Sequence, residues 1–328
     1  MPTVIFDDNN PLPGSGPFAR LQYSGANGDT LLIIDLHVTS ETLTAIRANE
    51  VDHLLIRRTR NVIGQNDGIY LTGLSSIVTN EGFIEAKNGS GIQYFGTQAF
   101  TLANFGTITS AFLAVLSSTG DDRVMNAGTL KTTSTLPNAT LLFLDAGNDV
   151  YDGTHGTATG GVIKLGAGND SAFGGAGTAG TEIFAGNEGN DLIHGGGGAD
   201  TVDYSDAQGG VKVDLGRTDG QTVSTREGTD TLIDIENLTG SSSSDTLVGS
   251  TGSNTLRGGD GDDVLEGGSG SDRLDGGAGN NTARYSGSSA AKVDLRIGTA
   301  QSTSGYGTDT LIGIANLEGG TGRLHGHA

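Results

Sequence analysis

Residues 240–284 read GSSSSDTLV, GSTGSNTLR, GGDGDDVLE, GGSGSDRLD and GGAGNNTAR, five nonapeptides in unbroken register from Gly240 to Arg284. Every ninth residue is Gly, and the sixth of each nine is Asp or Asn: Asp245, Asn254, Asp263, Asp272 and Asn281. A period this regular means one small structural unit stacked on copies of itself. Glycine lets the backbone turn through positive φ and bring its carbonyls inward. The Asp adds a carboxylate, and the eighth position (Leu247, Leu256, Leu265, Leu274) supplies a core side chain. Hard oxygen ligands converging on a tight turn suit calcium.

Composition fits a stack with a narrow core. The chain has 328 residues, of which 34% are hydrophobic and 5% aromatic. Its net charge is −20, and residues 1–143 hold only 12 of the 38 acidic residues and 14 of the 57 glycines. So glycine-rich a second part would read as disorder without its period. The acidic part repels itself, so divalent cations are expected to be coupled to its folding. The same charge argues against a nucleic-acid partner. There is no cysteine, which fits an exported protein. MPTVIFDDNN has neither a basic start nor an apolar core, and no apolar run approaches transmembrane length.

Working outward from the nonapeptides, looser periods appear. Ala146-Gly147-Asn148-Asp149, Ala167-Gly168-Asn169-Asp170 and Glu188-Gly189-Asn190-Asp191 recur every 21 residues. Two further nonapeptides run from Gly186 to Asp203. Upstream, Asn80-Glu81-Gly82, Asn104-Phe105-Gly106 and Asn126-Ala127-Gly128 are spaced by 24 and 22 residues, each fitting a tight turn beside a short strand. The alternative is a set of unrelated β-turns. Together the periods describe one solenoid whose coils shorten from 24 and 22 residues to 21 and then to 18, as two nines.

The expected organisation is an N-terminal cap over 1–60, parallel β-helix coils over 61–143, and 21-residue coils with a first nonapeptide block over 144–203. A spacer over 204–239, a second block over 240–284 and a repeated spacer over 285–328 follow. SETLTAIRANE (40–50) reads as a short helix with Ser40 as N-cap. The spacers echo each other: Tyr204-Ser205, Val213-Asp214-Leu215 and GTDTLIDIENL (228–238) return as Tyr285-Ser286, Val293-Asp294-Leu295 and GTDTLIGIANL (307–317). Val211 to Leu215 alternates as a half-buried strand does.

The nonapeptides resemble the RTX family of hemolysin-type calcium-binding repeats, with consensus G-G-x-G-x-D-x-(large apolar)-x. GGDGDDVLE and GGSGSDRLD match it at every defined position. The clear match covers 186–203 and 240–284, with weaker matches at 144–173, 225–233 and 304–312. The resemblance implies an all-β fold, a right-handed parallel β-helix or β-roll solenoid, in which six residues form a loop, three form a strand and two nonapeptides make one turn. It also implies several calcium ions between successive loops of one edge, held by Asp carboxylates and loop glycine carbonyls.

Carried onto this chain, the resemblance places Asp245, Asp263 and Asn281 on one edge and Asn254 and Asp272 on the other. Gly259, Gly261, Gly268 and Gly270 would supply carbonyls there. Asp245 with Asp263 would be the full carboxylate pair; the Asn-containing sites would be weaker for lack of charge. Asp149, Asp170 and Asp191, with Gly147, Gly168 and Gly189, would line an edge of the 21-residue coils. Asp200 stands in a consensus loop with Ala179 one coil earlier, and Asp230 and Asp309 are weaker candidates. Against all of these stands the simpler account, an Asx-Gly turn whose Asp bonds only its own backbone. For an isolated Asp-Gly loop that account is preferred; the tandem register favours the ligand reading at Asp263 and Asp272.

Enzymatic motifs do not emerge. None of the six histidines stands in H-E-x-x-H, and there is no G-x-S-x-G elbow. Gly175 to Gly180 matches G-x-G-x-x-G but lies among the repeats without a strand-helix context, so no nucleotide site is read there. Arg57, Arg58 and Arg60 form the one basic cluster, suited to an acidic polysaccharide, to a neighbouring subunit or simply to a solvated face. The expected function is calcium binding in a secreted, non-enzymatic solenoid with a structural, surface or self-association role, cell-surface polysaccharide being one partner class. The alternative is a polysaccharide lyase or epimerase, with Asp35, His37, Asp52, His53, Arg57 and Arg60 as candidates by residue type alone. RTX resemblance implies an extracellular or cell-surface location through type I secretion. The family's signal for that route is C-terminal, and after Leu317 this chain reads EGGTGRLHGHA.

Overall fold

A computed structural model describes residues 3–7, 21–24, 31–35, 38–40, 44–49, 51–58, 60–73, 76–136, 138–177, 180–286, 291–303, 305–319 and 323–325. His37 and Ala179 lie outside the described residues. Every element among them is a strand, and no helix is long and apolar enough to cross a membrane. The chain divides into two compact units, Met1–Glu182 and Ile183–Ala328.

The first unit is a parallel β-helix with three strands per coil. One such coil is Ser76–Asn80, Phe83–Ala86 and Ile92–Gly96; the next is Phe100–Asn104, Thr107–Ser110 and Val115–Leu116. Each strand pairs in parallel with its counterpart one coil on, so like residues stack. Leu54, Val78, Leu102, Val124 and Tyr151 form one such buried column. Strands of two to six residues suffice because period-2 alternation sends every second side chain inward, where it meets its equivalents in the neighbouring coils. In Ser76–Asn80, for example, Ser76, Val78 and Asn80 are buried, while Ile77 is exposed and Thr79 half-buried.

Among the described residues of 40–50 the expected helix does not form. Val38–Ser40 and Ile46–Asn49 are strands, and Ile46–Asn49 pairs in parallel with both Leu21–Ser24 and Ile69–Gly73. Ile46 and Ala48 are buried while Arg47 is exposed between them, a period-2 pattern inside a helix-favouring composition. Stacking on Ile69 and Leu71 overrides the local propensity. Leu31–Asp35 and His53–Ile56, also within the first 60 residues, belong to a second parallel sheet that continues into Ser76–Asn80.

The three Asn-x-Gly pentapeptides do mark successive coils. Asn80, Asn104 and Asn126 end equivalent strands, are buried, and form a ladder: Asn80 Nδ2 donates to Asn104 Oδ1 and Asn104 Nδ2 to Asn126 Oδ1, each at 2.8 Å. An amide carries both a donor and an acceptor, so it can repeat indefinitely along a stack. Coil length does not fall steadily, however. Between the equivalent residues Asp122 and Asp149 the separation rises to 27, because the chain loops out between Thr129–Thr132 and Thr140–Phe143.

The second unit uses two strands per coil. Thr246–Val248, Thr255–Arg257, Val264–Glu266 and Arg273–Asp275 occupy positions seven to nine of successive nonapeptides. Alternate strands pair: Thr246–Val248 with Val264–Glu266, and Thr255–Arg257 with Arg273–Asp275. Leu247, Leu256, Leu265 and Leu274 are fully buried. The spacers join the same sheets, with Lys212–Asp214 pairing in parallel with Thr246–Val248, and Asn237–Thr239 with Thr255–Arg257. Each spacer adds one antiparallel strand: Gln221–Ser224 on Gly228–Ile233, and Gln301–Ser302 on Thr308–Ile312.

Candidate metal-binding loops

The three glycines of a nonapeptide are required for two separate reasons, seen in GGDGDDVLE (258–266). At the first, a Cβ on Gly258 would lie 2.2 Å from Asp263 Oδ2 and 2.7 Å from the Gly276 carbonyl oxygen. The carboxylate therefore folds back over its own loop, into space that any side chain at 258 would fill. At the second and fourth positions, Gly259 and Gly261 have φ of 109° and 123°, a region that L side chains rarely adopt. The next loop repeats this, with φ of 88° at Gly268 and 126° at Gly270. In the 21-residue coils Gly168 and Gly189 also take positive φ, and a Cβ on Gly168 would meet the Gly147 carbonyl oxygen at 1.5 Å.

The Asp at position six ties one loop to the next. Asp263 Oδ1 accepts the Asp245 amide at 2.9 Å, and Asp272 Oδ1 accepts the Asn254 amide at 2.9 Å. Both links span 18 residues, one coil of two nonapeptides. In the first unit Asp149 Oδ1 accepts the Asp122 amide, and the Asp149 amide donates to Asp170 Oδ1, each at 2.7 Å. All these carboxylates are buried. Oδ2 of Asp149, Asp263 and Asp272 has no hydrogen-bond partner.

Oxygens converge where those partners are missing. Asp263 Oδ2 and the Gly276 carbonyl, from the next loop of the same edge, both crowd the point above Gly258. A Cβ on Gly195 would lie 2.8 Å from Asp200 Oδ2 and 2.2 Å from the Asp234 carbonyl oxygen. Two acceptors facing each other repel unless a cation or a donor lies between them. Among the described residues no three His, Cys, Asp or Glu side chains cluster, so a cation here would draw on one or two carboxylates and backbone carbonyls. That all-oxygen set fits a hard ion such as calcium.

Burial is the largest influence on each of these carboxyls. It raises Asp263 and Asp170 to about 6, Asp272 to about 7 and Asp149 to about 8. Their charged forms are costly without a compensating positive charge.

The family model for the RTX calcium-binding nonapeptide repeat matches four segments: residues 155–178, 177–206, 239–274 and 248–283. Those segments are RTX calcium-binding repeats. No curated protein matches the chain. The RTX matches include Asp170, Asp191, Asp200, Asp245, Asp263, Asp272, Asn254 and Asn281, while Asp149, Asp230 and Asp309 lie outside them.

Not every rung of the RTX edges has the same chemistry. Asp245 is fully engaged: Oδ1 accepts from the Val211 amide and the Ser241 hydroxyl, and Oδ2 accepts from the Ser241 amide. Asn281 Oδ1 takes the Asp263 amide, while its Nδ2 donates to the Gly313 carbonyl at 2.9 Å. Asn254 Nδ2 likewise donates to the Glu236 carbonyl at 2.7 Å. The amide nitrogen thus supplies directly the donor that a carboxylate oxygen lacks. Asp230 and Asp309 each have a tyrosine hydroxyl on Oδ2.

Sequence reading missed Asp122 and Glu236. Asp122 accepts the Phe100 amide on Oδ1 at 2.7 Å and the Ser117 hydroxyl on Oδ2, and so begins the column continued by Asp149. The signal for it was present: Gly120-Asp121-Asp122 anticipates Gly147-Asn148-Asp149, displaced by the lengthened coil. Glu236 Oε2 accepts the Asp200 amide at 2.8 Å, doing the work of a position-six Asp from within a spacer. Of the residues considered for catalysis, His53 shares a 3.0 Å hydrogen bond with Thr79, and Arg57 and Arg60 form the turn after His53–Ile56.

Proposed function

We propose that the chain folds around several calcium ions bound in the loops that end at Asp149, Asp170, Asp191, Asp200, Asp263 and Asp272, and that it acts outside the cell as a structural or surface protein. The convergence of Asp263 Oδ2 and the Gly276 carbonyl on one point carries this reading. The unpartnered Oδ2 atoms of Asp149 and Asp272 support it, and so does the net charge of −20, which a set of divalent ions offsets. Extracellular calcium modules bind with dissociation constants on the order of 10⁻⁴ to 10⁻³ M. Such loops are empty in the cytosol and fill on export, which is the logic of type I secretion for this chain.

Exposed Ile77, Phe95, Phe105, Phe112 and Leu136 in the first unit support a surface or self-association role. Circular dichroism in millimolar calcium and in excess chelator tests the calcium reading, the expected result being loss of much of the β signal on chelation. A chain equally folded in both conditions would overturn it. Sedimentation in calcium tests self-association, with a monomer at all concentrations as the contrary result.

A further inference from the structure

The two spacers share a contact that the nonapeptides lack. Tyr204, directly after strand Thr201–Asp203, is 3% exposed, and its hydroxyl donates to Asp230 Oδ2 at 2.9 Å. Tyr285, at the end of strand Asn281–Tyr285, is 2% exposed, and its hydroxyl donates to Asp309 Oδ2 at 3.3 Å. The aspartates are 0% and 1% exposed and stand at the same place in the two GTDTLI segments. Each keeps the ordinary linking duty on Oδ1, which accepts the amide of Asp191 or of Asp272, both at 3.1 Å. They therefore match Asp263 and Asp272 in burial and in the link made by Oδ1. Their Oδ2 meets a phenol.

Their position in the sheets differs too. The strands carrying them, Gly228–Ile233 and Thr308–Ile312, are each flanked by an antiparallel strand, Gln221–Ser224 or Gln301–Ser302, and the sheet ends there among the described residues. No further parallel loop follows in those sheets to offer carbonyls from beyond the carboxylate. A calcium ion needs six to eight oxygens, about half a shell from each flanking loop. At these two rungs one flank is missing, whereas a single phenol satisfies one carboxylate oxygen from within the protein.

We infer that cation binding stops at the rungs of Tyr204 and Tyr285, whose hydroxyls satisfy the carboxylate oxygen that the interior rungs offer to an ion, leaving Asp230 and Asp309 as metal-free ends of their columns. This rests on the calcium reading of the interior loops. The duplicated spacer is then a terminator with a fixed chemistry, used twice: a Tyr ending or directly following a strand, a G-T-D rung and an antiparallel edge strand. The edge strand also removes an open parallel edge, a site for unwanted pairing. The Gln that opens each edge strand is held alike in both copies. Gln221 brackets Asp214 (2.7 and 3.1 Å) as Gln301 brackets Asp294 (2.8 and 3.1 Å).

The test is the number of calcium ions bound per full chain at saturating calcium, measured by equilibrium dialysis on the natural sequence and on single variants. Asp263→Asn is expected to lose at least one ion. Asp230→Asn and Asp309→Asn are expected to bind as many ions as the natural sequence, because a tyrosine hydroxyl accepts from an amide as readily as it donates to a carboxylate. Loss of an ion from either would overturn the inference. If those variants do not fold, Tyr204→Phe and Tyr285→Phe decide it. Each should keep the full ion count while lowering the urea midpoint in calcium, and an unchanged midpoint or a lost ion would sink the idea. A natural chain that binds no calcium, with Asp263→Asn indistinguishable from it, would remove the calcium reading itself.

Discussion

Asp263 accepts the backbone amide of Asp245 on Oδ1 at 2.9 Å, eighteen residues apart, and its Oδ2 is left buried without a hydrogen bond. One carboxylate thus performs two tasks: it fixes the register of successive coils and presents an oxygen to whatever lies between them. The first task needs no metal. The second sets the expected dependence on calcium and on pH.

In excess chelator the chain should become less stable as pH rises. Asp263 and Asp170 are raised to about 6, Asp272 to about 7 and Asp149 to about 8, against the ordinary carboxylate range near 4 in the unfolded chain. Between those limits the folded state holds more protons than the unfolded state, so folding is favoured below about 4 and loses that contribution as pH climbs through 6 to 8. Urea midpoints in chelator at pH 5 and pH 8 should fall in that order. Calcium competes with the same protons, so its apparent affinity should be weaker at pH 5.

Gly258→Ala should be much worse than Gly252→Ala. The first puts a Cβ 2.2 Å from Asp263 Oδ2, whereas at Gly252 the nearest atom is the Ser250 hydroxyl at 3.7 Å. Overpacking of this kind costs about 1–3 kcal/mol, against roughly 0.5 kcal/mol or less for a tolerated surface change. Chemical denaturation in calcium measures both, and equal midpoints would contradict the folded-back carboxylate.

Asn104→Ala should destabilise the first unit by about 2–3 kcal/mol, since it strips a buried partner from both Asn80 and Asn126. The readout is thermal or urea unfolding in calcium. Exposed Lys131→Ala in the adjoining sheet is the expected near-neutral comparison at roughly 0.5 kcal/mol or less.

Leu265→Ala should cost about 2–5 kcal/mol. Leu265 is fully buried and stacks between Leu247 and Ala283, so the lost volume opens where the column has already narrowed to an alanine. A shift in urea midpoint without a change in the number of bound calcium ions would separate this packing effect from a ligand effect.

Sequence legibility followed the regularity of the repeat. The nonapeptide register of 240–284 was plain, and its resemblance to RTX repeats implied the six-residue loop, three-residue strand and alternating edges, while the Asn80, Asn104 and Asn126 coils came from a looser period. SETLTAIRANE was misread because its composition favours a helix locally, while its Ile46 and Ala48 are spaced for a strand whose partners lie more than twenty residues away. Asp122 was missed because the looped-out segment after Thr132 shifts it out of the 21-residue spacing.

From the sequence alone came the stacked β architecture, the requirement for glycine at fixed places and the hard-oxygen character of the loops, because each depends on residue type and period. Only the tertiary structure decided which carboxylates keep an unpartnered oxygen. Asp263 and Asp272 do, Asp245 is covered by Ser241, and Asp230 and Asp309 are covered by Tyr204 and Tyr285. Those tyrosine contacts join residues 26 and 24 positions apart, in segments of different sequence character. No nine-residue register foretells them, since the pairing exists only once the spacer has folded back along the stack.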